Sequence, residues 1–235
     1  MAGPIYFAIG DVHGMSERLG QLHQAILDRI SYEQSAARIV HLGDYVDRGP
    51  DSRGVIDRIL ALERQFAGNP LVDIISLKGN HEEMMLSQIG EATDAWLGQG
   101  GCETLESYGI EPEDHLLDWA DLLPADHLDW LLARPTLYHD RERRLAFVHA
   151  GIDPGAFPAC NDNVRMWTRS PAFTDFHRWP DREELSGLVV VHGHTPVETA
   201  LLAPHRINVD TGAVYGGTLT AVMLKEGAIP ALLQA

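Results

Sequence analysis

The sequence predicts an α/β fold organised on a largely parallel sheet. Three short, mostly apolar runs, residues 5–9, 38–42 and 71–77, have the length of strands, and each stops at a loop of polar residues. Each loop is followed by a segment whose apolar residues recur at helical spacing. Strands alternating with helices imply βαβ units, whose carboxyl-end loops are where such folds build sites.

The first run, Ile5-Tyr6-Phe7-Ala8-Ile9, ends at Gly10-Asp11-Val12-His13-Gly14. Ser16 is then placed to cap a helix with Leu19, Leu22, Ile26, Leu27 and Ile30 on one face. The second run ends at Gly43-Asp44-Tyr45-Val46-Asp47-Arg48-Gly49, before a helix from about Ser52 that carries Val55, Ile59, Leu62 and Phe66. The third ends at Lys78-Gly79-Asn80-His81-Glu82, with Met84, Met85 and Leu86 opening the next helix. Residues 92–134 read as helical and acidic, anchored by Trp96, Leu105, Leu116, Trp119, Leu122, Leu128, Trp130 and Leu131. No Ser/Gly/Pro-rich linker bounds this segment, so it is expected as a helical insertion, around 83–135, in one domain spanning 1–235. Beyond Pro135 short strands return at 136–139, 144–148, 188–191, 207–209, 218–224 and 229–233. Two of them lead into His149-Ala150-Gly151 and His192-Gly193-His194-Thr195, while Asp210-Thr211-Gly212 and Tyr215-Gly216-Gly217 supply turns.

Composition narrows the functions. The 235 residues are 45% hydrophobic and 22% charged, which suits a folded domain and excludes gross disorder. Cys102 and Cys160 lack CxxC spacing and are too few for a disulfide framework, as in a reducing compartment. The run at 5–9 is too short for a signal-peptide core, and nothing approaches the ~20 apolar residues of a membrane span. Ala2 stands where a myristoylation signal needs glycine, so a soluble, cytoplasmic protein is expected. A net charge of −16 argues against nucleic acid or anionic membrane as a partner. Much of that excess is local: residues 83–135 hold twelve Asp and Glu against Arg134 alone.

The strand-end loops collect Asp11, His13, Asp44, Asn80, His149 and His194. This mixed oxygen and imidazole set exceeds what one tetrahedral zinc site needs. Two ions sharing Asp44 would use all six, Asp11 and His13 completing one and Asn80, His149 and His194 the other. Ions ~3.5–4 Å apart can acidify a water and clamp phosphate oxygens. Arg48 beside the bridge can grip phosphate bidentately. His81, next to Asn80, can protonate a departing oxygen, and Asp47 can orient its imidazole.

The loops Gly10–Gly14, Gly43–Gly49, Gly79–Glu82, His149–Gly151 and Gly193–Thr195, in this order, resemble the phosphoprotein phosphatase branch of the calcineurin-like metallophosphoesterases. The length, the stretch Trp96–Gly109 and the stretch Asp210–Gly217 look most like its compact bacterial and phage serine/threonine phosphatases. The resemblance implies a central β-sandwich of two mixed sheets flanked by helices, rather than one sheet. It also implies a dinuclear centre, most often manganese with iron, zinc or nickel as substitutes, and an acid histidine paired with the Asp of DRG. A further phosphate-gripping arginine of the family fits Arg169 in Trp167-Thr168-Arg169. Some relatives carry arginine before GNH; Lys78 keeps the charge but not the planar fork. His41 reads as a core or outer-layer histidine, and His192 as an outer partner behind the ligand His194.

The expected activity is phosphomonoester hydrolysis of phosphoserine or phosphothreonine in a protein or peptide, by in-line attack of a hydroxide held between two metals. Symmetrical hydrolysis of dinucleoside tetraphosphates is the alternative on the same scaffold. Relatives of that kind tend to carry Asp after GNH, where this chain has Glu82, and an acidic segment near the site would repel a polyanionic nucleotide. A non-catalytic signalling module would be expected to lack the acid or a ligand, and here every such position is filled.

Overall fold

The structure is a computed structural model that describes residues 3–90, 94–111 and 119–235. Leu116 and Ala92 of the acidic segment lie outside the described residues. Among the described residues there are ten strands: β1 (Ile5–Ile9), β2 (Ala37–His41), β3 (Val72–Ser76), β4 (Leu137–Asp140), β5 (Leu145–Val148), β6 (Val189–His192), β7 (Leu201–Leu202), β8 (Arg206–Asn208), β9 (Thr220–Leu224) and β10 (Ala231–Gln234). The helices that matter for the site are α1 (Ser16–Glu33), α2 (Ser52–Phe66), α3 (Asn80–Leu86), α4 (Cys102–Ser107), α5 (Ala125–Leu132) and α6 (Asp162–Trp167).

The single sheet suggested by alternation alone is corrected to two five-stranded sheets, ordered β10-β9-β1-β2-β3 and β4-β5-β6-β8-β7. In the first, β1, β2 and β3 are parallel, while β9 and β10 return antiparallel beside β1. In the second, β5, β6 and β8 are parallel, with β4 and β7 as antiparallel edges. The physical reason lies in the two-sided burial of the strands. Ile5, Phe7, Ile9 and Ile39 pack with α1 and α2 residues such as Leu19, Leu22, Ile56 and Ile59. Tyr6, Ala8, Val40 and Leu42 pack instead against Phe147, Val191, Ile207 and Val209 of the second sheet. An apolar run buried on both faces has the same pattern whether helix or sheet covers its second face.

The outer face of the second sheet, Ala146, Val148 and Val190, is covered by Ile152, Phe157, Phe173, Leu185 and Leu188. All but Leu188 belong to the stretch 152–187, which the hydrophobic pattern left without elements and which contains α6. Ser16 is not the cap of α1: it is the first helical residue, and its hydroxyl donates to Asp51 Oδ2. Asp51 in turn caps α2, accepting from Gly54 N at 2.9 Å, so the two helix starts are tied together. No helix among the described residues is long and apolar enough to cross a membrane.

His41 is fully buried in β2 and meets His23 of α1, Nε2 to Nε2 at 2.8 Å. Its Nδ1 stands 3.3 Å from Ser76 Oγ, which donates to Glu63 at 3.1 Å. Burial, and then the Arg58 guanidinium, push His23 down to about 4. Burial, and then His23, hold His41 well below the usual histidine range. The unfolded chain therefore takes up protons near pH 6.5 that the folded chain refuses until about pH 4. Stability from this pair is therefore full above pH 6.5 and is lost as pH falls toward 4. His23 alone costs roughly 2 kcal/mol between pH 7 and pH 5. Urea melts at the two pH values are expected to show at least that loss, reduced in His23→Gln.

Candidate metal centre and active site

The parallel strands of both sheets end at one edge, where the loops after β1, β2, β3, β5 and β6 meet. Backbone conformation singles these loops out. Non-glycine residues with left-handed φ include His13 (41°), Asp44 (53°), Asp47 (71°), Arg48 (70°) and His194 (68°). Each such residue costs of order 1 kcal/mol, and such positions cluster where a site holds its side chains against local preference. Gly49 allows the loops after β1 and β2 to touch: a Cβ there would stand 1.9 Å from His13 O. Gly43, at φ 103°, does the same for the loop after β3, since its Cβ would stand 2.5 Å from Gly79 N.

Asp44 lies at the centre, 2% exposed. Its Oδ1 is 3.3 Å from His149 Nε2 and accepts the His81 backbone N–H at 3.1 Å, while its Oδ2 is 3.4 Å from His13 Nε2. Asn80 Oδ1 is 2.9 Å from His149 Nε2 and 2.8 Å from His194 Nδ1. Ligand atoms of Asp44, His149 and His194 lie within 4.8 Å of one another, as do those of His13, Asp44 and His81. Asp11 stands outside both groups, its carboxylate accepting the His194 N–H at 3.0 Å.

The donor set fits divalent cations. His13 Nδ1 donates to Val46 O at 2.8 Å and His149 Nδ1 to Leu42 O at 3.1 Å, which turns both Nε2 atoms inward. A metal-binding imidazole is fixed by such a bond on its other nitrogen. Guanidinium groups face two of the imidazoles, those of His13 and His194. Arg48 Nη1 donates to His13 Nε2 at 2.7 Å, and Arg169 Nε to His194 Nε2 at 3.1 Å. One further oxygen, Asp210 Oδ2, is buried with no partner.

The electrostatics express the same demand for positive charge. Burial alone would raise Asp44, yet His149 and His81 hold its carboxyl well below the usual range. Burial would lower His149, but Asp44 and Asp11 push it up to about 9. His194 goes to about 3, through burial and then the charge of His149. Burial, followed by the charge of Asp210, raises Asp11 well above an ordinary carboxylate.

His81 Nδ1 is held by Asp47 Oδ2 at 2.6 Å, and its ring meets that of His13 edge-on at 4.7 Å. Asp47 is fully buried and is fixed from the acidic segment, which the sequence pattern showed only as core-forming. Trp96 Nε1 donates to its Oδ1 at 3.1 Å, and Thr104 Oγ1 to the same oxygen at 2.9 Å. Gly100 O accepts the Arg48 N–H at 3.3 Å. The insertion therefore presents to the loop an indole, a hydroxyl and a carbonyl, each needed to hold a buried carboxylate or a strained backbone. The Trp96–Gly109 resemblance was the one sequence signal for these contacts.

Glu82 is the second residue whose position was not foreseen. Its carboxylate is fully buried and accepts the N–H groups of Asp44 (2.8 Å), Tyr45 (2.7 Å), Val46 (3.2 Å) and Gly79 (2.8 Å). It thus braces the loop after β2 against the start of α3. Glu82→Ala leaves four buried donors unpaired and is expected to cost about 3–5 kcal/mol. Chemical denaturation measures that loss directly.

Lys78 turns away from the cluster: it pairs with Glu83 at 3.7 Å and lines a cavity with Arg134, Thr136 and Arg165. His192 is an outer residue, its Nδ1 at 3.0 Å from Gly193 O and its ring edge-on to Phe173. The rim is open on the Arg48 side, where exposed Tyr215 lies under the guanidinium at 5.6 Å.

The calcineurin-like phosphoesterase family matches residues 6–225, nearly the whole chain. The chain belongs to the calcineurin-like phosphoesterase family. It is 27% identical over 238 residues to a protein of Halalkalibacterium halodurans named bis(5'-nucleosyl)-tetraphosphatase PrpE [asymmetrical], covering 93% of this chain and 89% of that one. Among solved structures, a cold-active protein-tyrosine phosphatase of a Shewanella species superposes with a TM-score of 0.65 at 18% identity, over 98% of this chain and 80% of its own. A serine/threonine phosphatase of Saccharomyces cerevisiae gives 0.57 at 13% identity, over 99% and 80%. At these identities the structural likeness establishes the fold, and the two mixed sheets are those of this metallophosphoesterase family.

Proposed function

We propose that this calcineurin-like phosphoesterase hydrolyses dinucleoside tetraphosphates asymmetrically at a dinuclear centre. The geometric observation that carries the phosphoryl chemistry is the convergence of Arg48 on His13 and of Arg169 on His194, two imidazoles whose ring nitrogens each cluster with the Asp44 carboxylate. The substrate class draws support from the PrpE name of a relative that covers 93% of this chain. It also draws support from Tyr215 at the rim, a planar surface beside Arg48. The objection that acidic residues would repel a nucleotide weakens, because the insertion meets the loop through Trp96, Gly100 and Thr104.

Asp11, His13, Asp44, Asn80, His149 and His194 are the proposed metal donors, with manganese the preferred ion. Divalent ions bound there supply Lewis-acid charge on phosphate oxygens and a water acidified for attack. Arg48 and Arg169 orient the phosphoryl group and offset charge as it develops. His81, with Nδ1 held by Asp47, delivers a proton from Nε2 to the leaving oxygen.

One observation favours a second reading, cleavage of phosphoserine or phosphothreonine esters. A buried, carboxylate-aligned acid matters most for a strongly basic leaving oxygen such as a serine alkoxide, and the His81–Asp47 pair is of that kind. Turnover of diadenosine tetraphosphate and of a phosphoserine peptide, each with manganese, separates the two. Release of ATP and AMP with the higher kcat/KM is expected for the dinucleotide. Release of ADP alone, or faster cleavage of the peptide, would overturn the proposal.

A further inference from the structure

Asp210 is 3% exposed and lies in the turn after β8, outside the set of proposed donors. Its Oδ1 accepts the Gly212 N–H at 3.1 Å, as an Asx-type turn requires. Its Oδ2 has no partner, although a buried carboxylate oxygen is costly unless bonded or facing a cation. The surroundings show where that cation would stand. A Cβ on Gly193 would lie 2.0 Å from Asp11 Oδ1 and 3.6 Å from Asp210 Cβ, so the two acidic side chains share the space that this glycine leaves. His13, Asp44 and His149 also lie close enough for their charges to act on Asp210.

Two buried carboxylates side by side, one with an unpaired oxygen, do not arise from packing alone. The turn is tied to β9 without the second Asp210 oxygen: the Thr211 hydroxyl donates to Thr218 O at 2.7 Å and meets Thr220 Oγ1 at 2.6 Å, and Gly217 N donates to Gly212 O at 3.0 Å. A neutral residue at 210 would keep the Gly212 bond and remove the repulsion from Asp11. We infer that Asp210 is a third carboxylate of the metal centre, acting through its unpaired oxygen to strengthen binding of the ion held by Asp11 and His13. It is a positioning residue: its negative charge adds to those of Asp11 and the shared Asp44 in balancing a divalent ion beside Asp11 and His13. The inference rests on the metal centre, not on the identity of the phosphate substrate.

The test is calorimetric titration of manganese into metal-stripped protein, compared across wild type, Asp210→Asn and Thr211→Val. Asparagine keeps the shape and the Gly212 bond but not the charge. In Asp210→Asn one of the two sites is expected to weaken about tenfold or more, the range for outer partners of metal ligands, while the other stays within about twofold. The metal-free variant is expected to melt at a higher temperature than metal-free wild type, because the carboxylate repulsion is gone. Thr211→Val is expected to lower the melting temperature yet leave both affinities unchanged, which separates turn stability from charge. Unchanged affinities at both sites in Asp210→Asn would overturn the inference. Asp210→Ser is a second neutral variant, and the same affinity readings on it decide the matter if the asparagine variant does not fold.

Discussion

Asp44→Asn is expected to lose bound metal and turnover together. The substitution keeps the shape of the side chain while removing the charge that two imidazoles face, His13 at 3.4 Å on one oxygen and His149 at 3.3 Å on the other. That charge acts strongly on its neighbours: with Asp11 it lifts His149 to about 9 against burial. Losing a group that touches the ions should exceed the ~10–100-fold cost of losing an outer partner of a ligand. A fall in manganese affinity of more than about 100-fold, with turnover reduced in step, is the predicted result. Titration calorimetry and kinetics at saturating metal check it, and full restoration of turnover by excess manganese would show that Asp44 contributes affinity only.

His81→Asn is expected to separate the two properties. Manganese affinity stays near that of wild type, and kcat falls by about 10²–10⁴, the usual contribution of a positioned acid. The reason is the geometry at Nδ1, where Asp47 holds the ring at 2.6 Å and leaves Nε2 as the proton donor. His81 also lies within 4.8 Å of ligand atoms on His13 and Asp44, which makes the experiment decisive. Metal loss equal to that of Asp44→Asn would make His81 a ligand instead of the acid. The deficit should also depend on the leaving group, smallest for p-nitrophenyl phosphate, whose phenolate needs little protonation, and largest for a serine ester.

Much of the site was legible because its chemistry sits in short loops that each follow an apolar strand. Gly10–Gly14, Gly43–Gly49 and Gly79–Glu82 could be read as sharing one edge from the βαβ pattern alone, and β1, β2 and β3 place them there. His149 and His194 join the same edge because β5 and β6 run parallel in the second sheet. That second sheet was not legible from periodicity, since β1 shows the same apolar run whether its far face meets helices or Phe147 and Val191; family resemblance supplied it. The supports were the least legible. Glu82 reads in the sequence only as the residue after GNH that sets this chain apart from dinucleotide-cleaving relatives, yet it holds four backbone N–H groups from two loops. Trp96 looked like helix core and Thr104 carried no reading of its own, and only the fold brings them onto Asp47, about fifty residues earlier in the chain. Long-range hydrogen bonds of this kind leave no local period in the sequence.

Anomalous diffraction from a crystal grown with manganese would locate the pair of ions proposed to share Asp44. Two peaks are predicted, one beside Asp11 and His13 and one beside Asn80, His149 and His194, with Asp44 reaching both. A single peak, or a pair that does not share Asp44, would contradict the account.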